Sequence, residues 1–311
     1  MAEHRLRLGL RLPHIPDVTE DLPMSLEILS VMRRKESCLN HGFGKETARH
    51  IRYRTMLVEW VIDVCEDFEL SLTTATTAVL YSDQVLSKVK VPKTSLQLVA
   101  MCCVLLAAKF EEPETKVPLL HHLNECSNNL YTIELIRKME MAVLNELGWG
   151  MTCVTPAHFL ETFLALTCGA TSRSDIVGGG AWQPKTVEIL QRYSAFFVTI
   201  CLLDMDMTTE FPPSMVAAAV IAASRWQLQI QPLWTPSLQA ATGFSEQDIG
   251  PCLSKVVGLY LDKYPDTATE NVTPERRAGP PQGDVEMHPA TPNGKGVPSP
   301  TGPLEAWAEF H

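Results

Sequence analysis

Apolar residues recur along this chain at helix spacing, and alternation with period two is nowhere sustained. Met56, Leu57, Trp60, Val61 and Val64 form one stripe and predict a first long helix. Further helical patterns run over Thr73 to Leu86, Thr94 to Lys109, Val117 to Asn124 and Thr132 to Leu147, the last with Gly148 as its stop. Ahead of them, Leu26, Ile28, Leu29 and Met32 predict a short amphipathic helix capped by Ser25. Thr155-Pro156 then opens a second block, since proline suits the first position inside a helix. That block covers Ala157 to Leu166 and, after a glycine-rich loop, Thr186 to Leu203, Ser214 to Gln227 and Ser245 to Tyr264. Beyond Pro265 periodicity gives way to Pro, Gly and Thr, which predicts a disordered tail. The fold class is therefore all-α, divided as 1–24 (a flexible arm), 25–154, 155–265 and 266–311.

One segment in each block is apolar or small at nearly every position, as a helix buried on all sides must be. With Lys109 set on Arg225, LVAMCCVLLAAKF matches SMVAAAVIAASRW, each ending in a cation and an aromatic. A fully ringed helix that occurs twice points to two copies of one helical domain. The first copy stops at Lys109, Phe110, Glu111 and Glu112, ahead of Pro113. An ammonium and two carboxylates at the exit of a buried helix read as a docking device.

Glu140 is the second outlier. It falls on the stripe formed by Ile133, Ile136, Val143, Leu144 and Leu147, where a carboxylate needs a partner or an interface rim. Lys109 is its candidate partner. Spacing alone leaves two readings, an internal ion pair that closes the domain edge or a pair that faces another protein.

Composition narrows the function. A chain of 311 residues with 45% hydrophobic and 20% charged residues has enough material for two cores. Its net charge of −10 argues against a nucleic-acid backbone as partner. Nine cysteines without a Cys-x-x-Cys, two of them adjacent at Cys102 and Cys103, read as core thiols of a reducing compartment. The apolar runs fall short of the roughly 18 residues of a membrane span. Gly42-Phe43-Gly44-Lys45 lacks the first glycine and the closing Ser or Thr of a phosphate loop, and His121-His122 has no spaced metal ligands. No catalytic constellation and no cofactor site emerges, which leaves binding and regulation.

The run LLAAKFEE, the pair Met139-Glu140, the stretch YRTMLVEW around Arg54, SDQVL around Asp83 and LQLV at Leu98 together resemble the cyclin box. The resemblance extends from Arg54 to Tyr264 and implies two tandem cyclin boxes. KFEEPETKVPLLHHLN, PAHFLETFL and PPSMVAAAVIAASR are similar to cyclin J in particular. It implies a regulatory subunit that binds and activates a cyclin-dependent serine/threonine kinase, expected in nucleus and cytoplasm. The alternatives are a non-activating scaffold or a transcription regulator of the same fold. Lys109 and Glu140, extended by Phe110 and Glu111, would bind the mobile helix of the kinase, and Arg54 with Asp83 would form an internal bidentate pair. Tyr53, Met56, Leu57, Trp60, Asp63 and Gln97 match a groove for Arg-x-Leu peptides of substrates or inhibitors. Thr273, Thr291 and Ser299, each before a proline, are candidate phosphorylation sites, and Arg5 to Leu10 holds the loose Arg-x-x-Leu pattern of degradation boxes.

Overall fold

A computed structural model describes residues 10–12, 18–38, 48–168 and 183–265. The candidate phosphorylation sites, the Arg-x-x-Leu pattern before Leu10, the Gly42–Lys45 run, the glycine-rich loop of the second block and the tail 266–311 lie outside the described residues. Twelve α-helices follow one another among the described residues. They are α1 (Val18–Cys38), α2 (Ala48–Asp67), α3 (Leu72–Lys88), α4 (Lys93–Glu111), α5 (Leu120–Glu125), α6 (Ile133–Glu146), α7 (Pro156–Cys168), α8 (Pro184–Leu203), α9 (Met205–Glu210), α10 (Pro213–Gln227), α11 (Pro236–Thr242) and α12 (Glu246–Lys263).

The two apolar helices are the two centres. α4 packs on α2, α3 and α6, and α10 packs on α7 and α8. Every residue of α4 from Leu96 to Ala108 is buried, as is every residue of α10 from Val216 to Arg225. Cys102 and Cys103 are wholly enclosed in α4, and burial pushes both thiols far above their ordinary titration range. The small residues of α4 and α10 let neighbouring helices approach from several sides, which is why neither shows a strong polar face.

The N-terminal helix departs from the sequence reading. It starts at Val18, seven residues before Ser25. Leu29 and Met32 are buried while Leu26 and Ile28 are exposed, so the apolar pattern marked only the packed part of a longer helix. α1 lies against α7 and α10 of the second block, far along the sequence. Two charged contacts fix it there. Arg33 donates to the carbonyl of Thr242, the last residue of α11. Glu36 accepts from the Ser214 backbone N–H at 2.6 Å and from the Ser214 hydroxyl at 2.8 Å, at the start of α10. A cation thus meets a helix C-terminus and an anion meets a helix N-terminus, both favourable against the helix dipole.

The arm expected to be mobile up to residue 24 is also tied down where it is described. Leu10 is buried, and Arg11 bridges in parallel to Ser71. Arg11 N–H donates to the Leu70 carbonyl at 2.9 Å, and Leu72 N–H donates to the Arg11 carbonyl at 3.3 Å.

Candidate functional site: the exit of α4

α4 ends because Pro113 cannot continue it and Glu112 turns to extended backbone as its C-cap. At this exit Lys109 and Phe110 face solvent, each with about 48% exposure. α6 brings the partner. Thr132 caps α6 by accepting from the Leu135 N–H, and Ile136 and Val143 anchor the helix in the core. Glu140, one turn beyond Ile136, therefore emerges at the edge of the core with its side chain 14% exposed. Lys109 Nζ lies 2.5 Å from Glu140 Oε1. The ammonium has three donors, of which Glu140 takes one, so the remaining donors point towards solvent. Phe110 and Met141, the sequence neighbours of the pair, are both about half exposed. The exit thus presents an ion pair flanked by uncovered apolar side chains, the chemistry of a docking surface.

The two carboxylates that follow do something else. Glu111 and Glu112 were expected at the surface, and both turn inward. Glu111 Oε1 accepts from the Thr77 hydroxyl of α3 at 3.1 Å and lies 3.3 Å from His158 Nε2 of α7. The Thr155 N–H donates to His158 Nδ1 at 3.2 Å, which leaves the proton of the neutral ring on Nε2, facing Glu111. Glu111 is thereby a link between the blocks and not a free docking carboxylate. Glu112 is buried more deeply still. Its Oε1 accepts from the Ser71 N–H at 2.7 Å and the Thr74 hydroxyl at 2.7 Å, and its Oε2 pairs with Arg11. Burial alone would push the Glu112 carboxyl up. The hydrogen bonds from Ser71 and Thr74, with the Arg11 charge, outweigh burial and hold it below the usual range. Ser71 also caps α3 by accepting from the Thr74 N–H, so Glu112 completes a helix cap from a distant part of the chain. The sequence carried one trace of this, Ser71 three residues before Thr74 at a helix start.

Arg54 and Asp83 meet as the family resemblance implied. Arg54 Nε and Nη2 donate to the Asp83 carboxylate at 2.9 and 2.8 Å, with both side chains almost fully enclosed. A third partner was not legible. Arg54 Nη1 donates to the Leu202 carbonyl at 2.8 Å, at the C-terminal end of α8. The pair locks α2 to α3 and ties both to the second block.

The groove residues separate into two groups. Leu57 and Trp60 are 4% and 2% exposed and belong to the core, so no open leucine seat lies over them. Their helix packs on α3, α4 and α8, and that packing consumes the stripe. Gln97 is buried too, and its Nε2 has no hydrogen-bond partner among the described residues. Outward remain the half-buried Tyr53, with Lys93 Nζ 5.3 Å from its ring centre, half-buried Met56, and exposed Asp63. Partial burial, then Glu59 and Asp67 a turn away on either side, push the Asp63 carboxyl up.

Comparison with known proteins places the chain in a family. A model described as "Cyclin, N-terminal domain" matches residues 27–152, and one described as "Cyclin, C-terminal domain" matches residues 154–286. Cyclin-D of Ostreococcus tauri is 42% identical over 249 residues, covering 79% of this chain and 66% of that protein. The G2/mitotic-specific cyclin S13-7 of Glycine max is 33% identical over 209 residues, covering 67% of this chain and 74% of that protein. Cyclin-J of Xenopus laevis is 28% identical over 284 residues, covering 85% of this chain and 72% of that protein. The J-type likeness is present, with the D-type relative at higher identity. Among solved structures, a viral cyclin from herpesvirus saimiri shares the fold with a TM-score of 0.58 at 19% identity, over 75% of this chain and 99% of the viral one.

Proposed function

The chain belongs to the cyclin family, and from that premise we propose that it is the regulatory subunit of a cyclin-dependent serine/threonine protein kinase, which it binds and activates in cell-cycle control. The observation that carries this reading is the Lys109–Glu140 pair at the box edge, half open to solvent and flanked by exposed Phe110 and Met141. A mobile kinase helix offers backbone carbonyls at its C-terminal end and apolar side chains along one face. The free donors of Lys109 suit the former, and Phe110 with Met141 suit the latter. Seating that helix completes the Lys–Glu ion pair of the kinase itself and orders its activation loop. The role of this chain is regulatory, and its partner supplies the chemistry. The expected places of action are nucleus and cytoplasm.

Replacing both members of the pair avoids leaving one charge uncompensated, so Lys109→Ala with Glu140→Ala tests the interface without a large stability penalty. The expected result is loss of kinase copurification with an unchanged helical circular dichroism spectrum. Retained copurification refutes the assignment. A peptide phosphorylation assay on the purified wild-type complex separates an activator from a scaffold, because a scaffold leaves the basal kinase rate unchanged.

A further inference from the structure

Where it is described ahead of α1, at residues 10–12, the N-terminal arm meets the first box beside the end of α4. Leu10 is 3% exposed, and residue 11 is held by backbone hydrogen bonds to both neighbours of Ser71. The Arg11 guanidinium reaches Glu112 Oε2, an oxygen whose partner among the described residues is Arg11. Glu112 Oε1 is occupied by Ser71 and Thr74, and the whole side chain is shielded from solvent. Removing Arg11 would leave a carboxylate oxygen enclosed without a counter-charge, which a structure avoids by moving.

What would move is the exit itself. Glu112 is the C-cap of α4, and its N–H bonds to the Ala108 carbonyl across the last turn. Lys109 and Phe110 ride on that turn, between the two anchored residues. Lys109 and Glu112 also line one cleft, together with Leu105, Val117 and Pro118. A shift of the Glu112 carboxylate is therefore a shift of the backbone that aims Lys109.

We propose that Leu10 and Arg11 form a strap that sets the direction of the α4 exit, with Arg11 as a positioning residue for kinase docking. The strap is in the chain segment ahead of α1, outside the 27–152 span that matches the family's N-terminal domain. Arg11 itself is half exposed and its side-chain partner among the described residues is Glu112, so replacing it removes a single charged contact from a position outside the core. The docking half of the proposal rests on the kinase-binding reading, whereas the strap half stands on the arm contacts alone.

The test uses the full chain with Arg11→Ala and Arg11→Lys, read by amide hydrogen exchange and by titration with purified kinase. In Arg11→Ala, the amides of Ser71, Thr74 and Glu112 are expected to exchange faster, and kinase affinity to fall by roughly tenfold, the scale of one charge-assisted hydrogen bond. Arg11→Lys keeps the charge and should recover most of both. Unchanged exchange in Arg11→Ala overturns the strap. Faster exchange with unchanged kinase affinity overturns the positioning role. A wild-type chain that captures no kinase refutes the docking premise and with it the positioning role, and exchange then decides the strap by itself.

Discussion

Among single residues, Glu112 couples most parts of the first box, since it caps α3, ends α4 and receives the arm. Its carboxyl is held below the ordinary value of 4.5 in the folded chain, so it binds its proton less readily there than when unfolded. The stabilisation it contributes is complete above the unfolded value and is lost as pH falls through the folded one. Glu112→Gln should therefore lower the melting temperature at neutral pH and flatten the acid limb of the stability–pH curve. An acid limb as steep as in wild type would contradict this. Sequence reasoning located Lys109 and Glu140 because a charge on an apolar stripe violates a pattern. It misassigned Glu111 and Glu112 because two acids beyond a helix end violate nothing. Their direction is decided by Thr77, His158, Ser71 and Thr74, residues brought near by the packing of α3 on α4 and of α7 on α3.

Between elements, the two repeated core helices end in different surroundings. Lys109 leaves α4 into solvent, whereas its counterpart Arg225 is 2% exposed and donates from Nε and Nη2 to the Pro232 carbonyl at 3.2 and 2.7 Å. The same cation position is thus a surface feature in one repeat and a loop anchor in the other. The repetition was legible from apolar runs, but the inward turn of Arg225 depends on the segment after α10, which has no strong periodicity. Short α9 and α11 escaped for the same reason, each being too brief to show a stripe. α1 supplies the element-scale prediction. Glu36 satisfies two groups at the start of α10, so Glu36→Ala should cost about 1–2 kcal/mol, as lost helix caps do. A lower denaturant midpoint at constant m-value is expected, because the exposed surface on unfolding is unchanged. A midpoint equal to wild type would show that α1 docks without this contact.

For the described residues up to Tyr260, which fall in one compact unit, the question is whether two boxes unfold as two domains or as one. The contacts favour one. α3 packs on α7 and α8, α2 packs on α8, and α1 crosses over to α7 and α10. Thr76 and Thr155 share a hydrogen bond at 2.8 Å, and an apolar cleft between the blocks is walled by Val79 and Leu80 on one side and by Val198, Leu202 and Val216 on the other. Across this boundary Arg54 is a buried polar link, holding Asp83 of α3 and the carbonyl end of α8 with one guanidinium. Calorimetry of the wild-type chain should give a single transition whose calorimetric and van't Hoff enthalpies agree. Arg54→Ala leaves Asp83 buried without its counter-charge, a loss of roughly 3–5 kcal/mol for a broken buried pair. It also frees the end of α8, so the first box should melt earlier and the single transition should divide into two. If Arg54→Ala melts in one step, merely displaced to lower temperature, cohesion between the boxes resides in the apolar contacts, and the ion pair serves only to align α2 with α3.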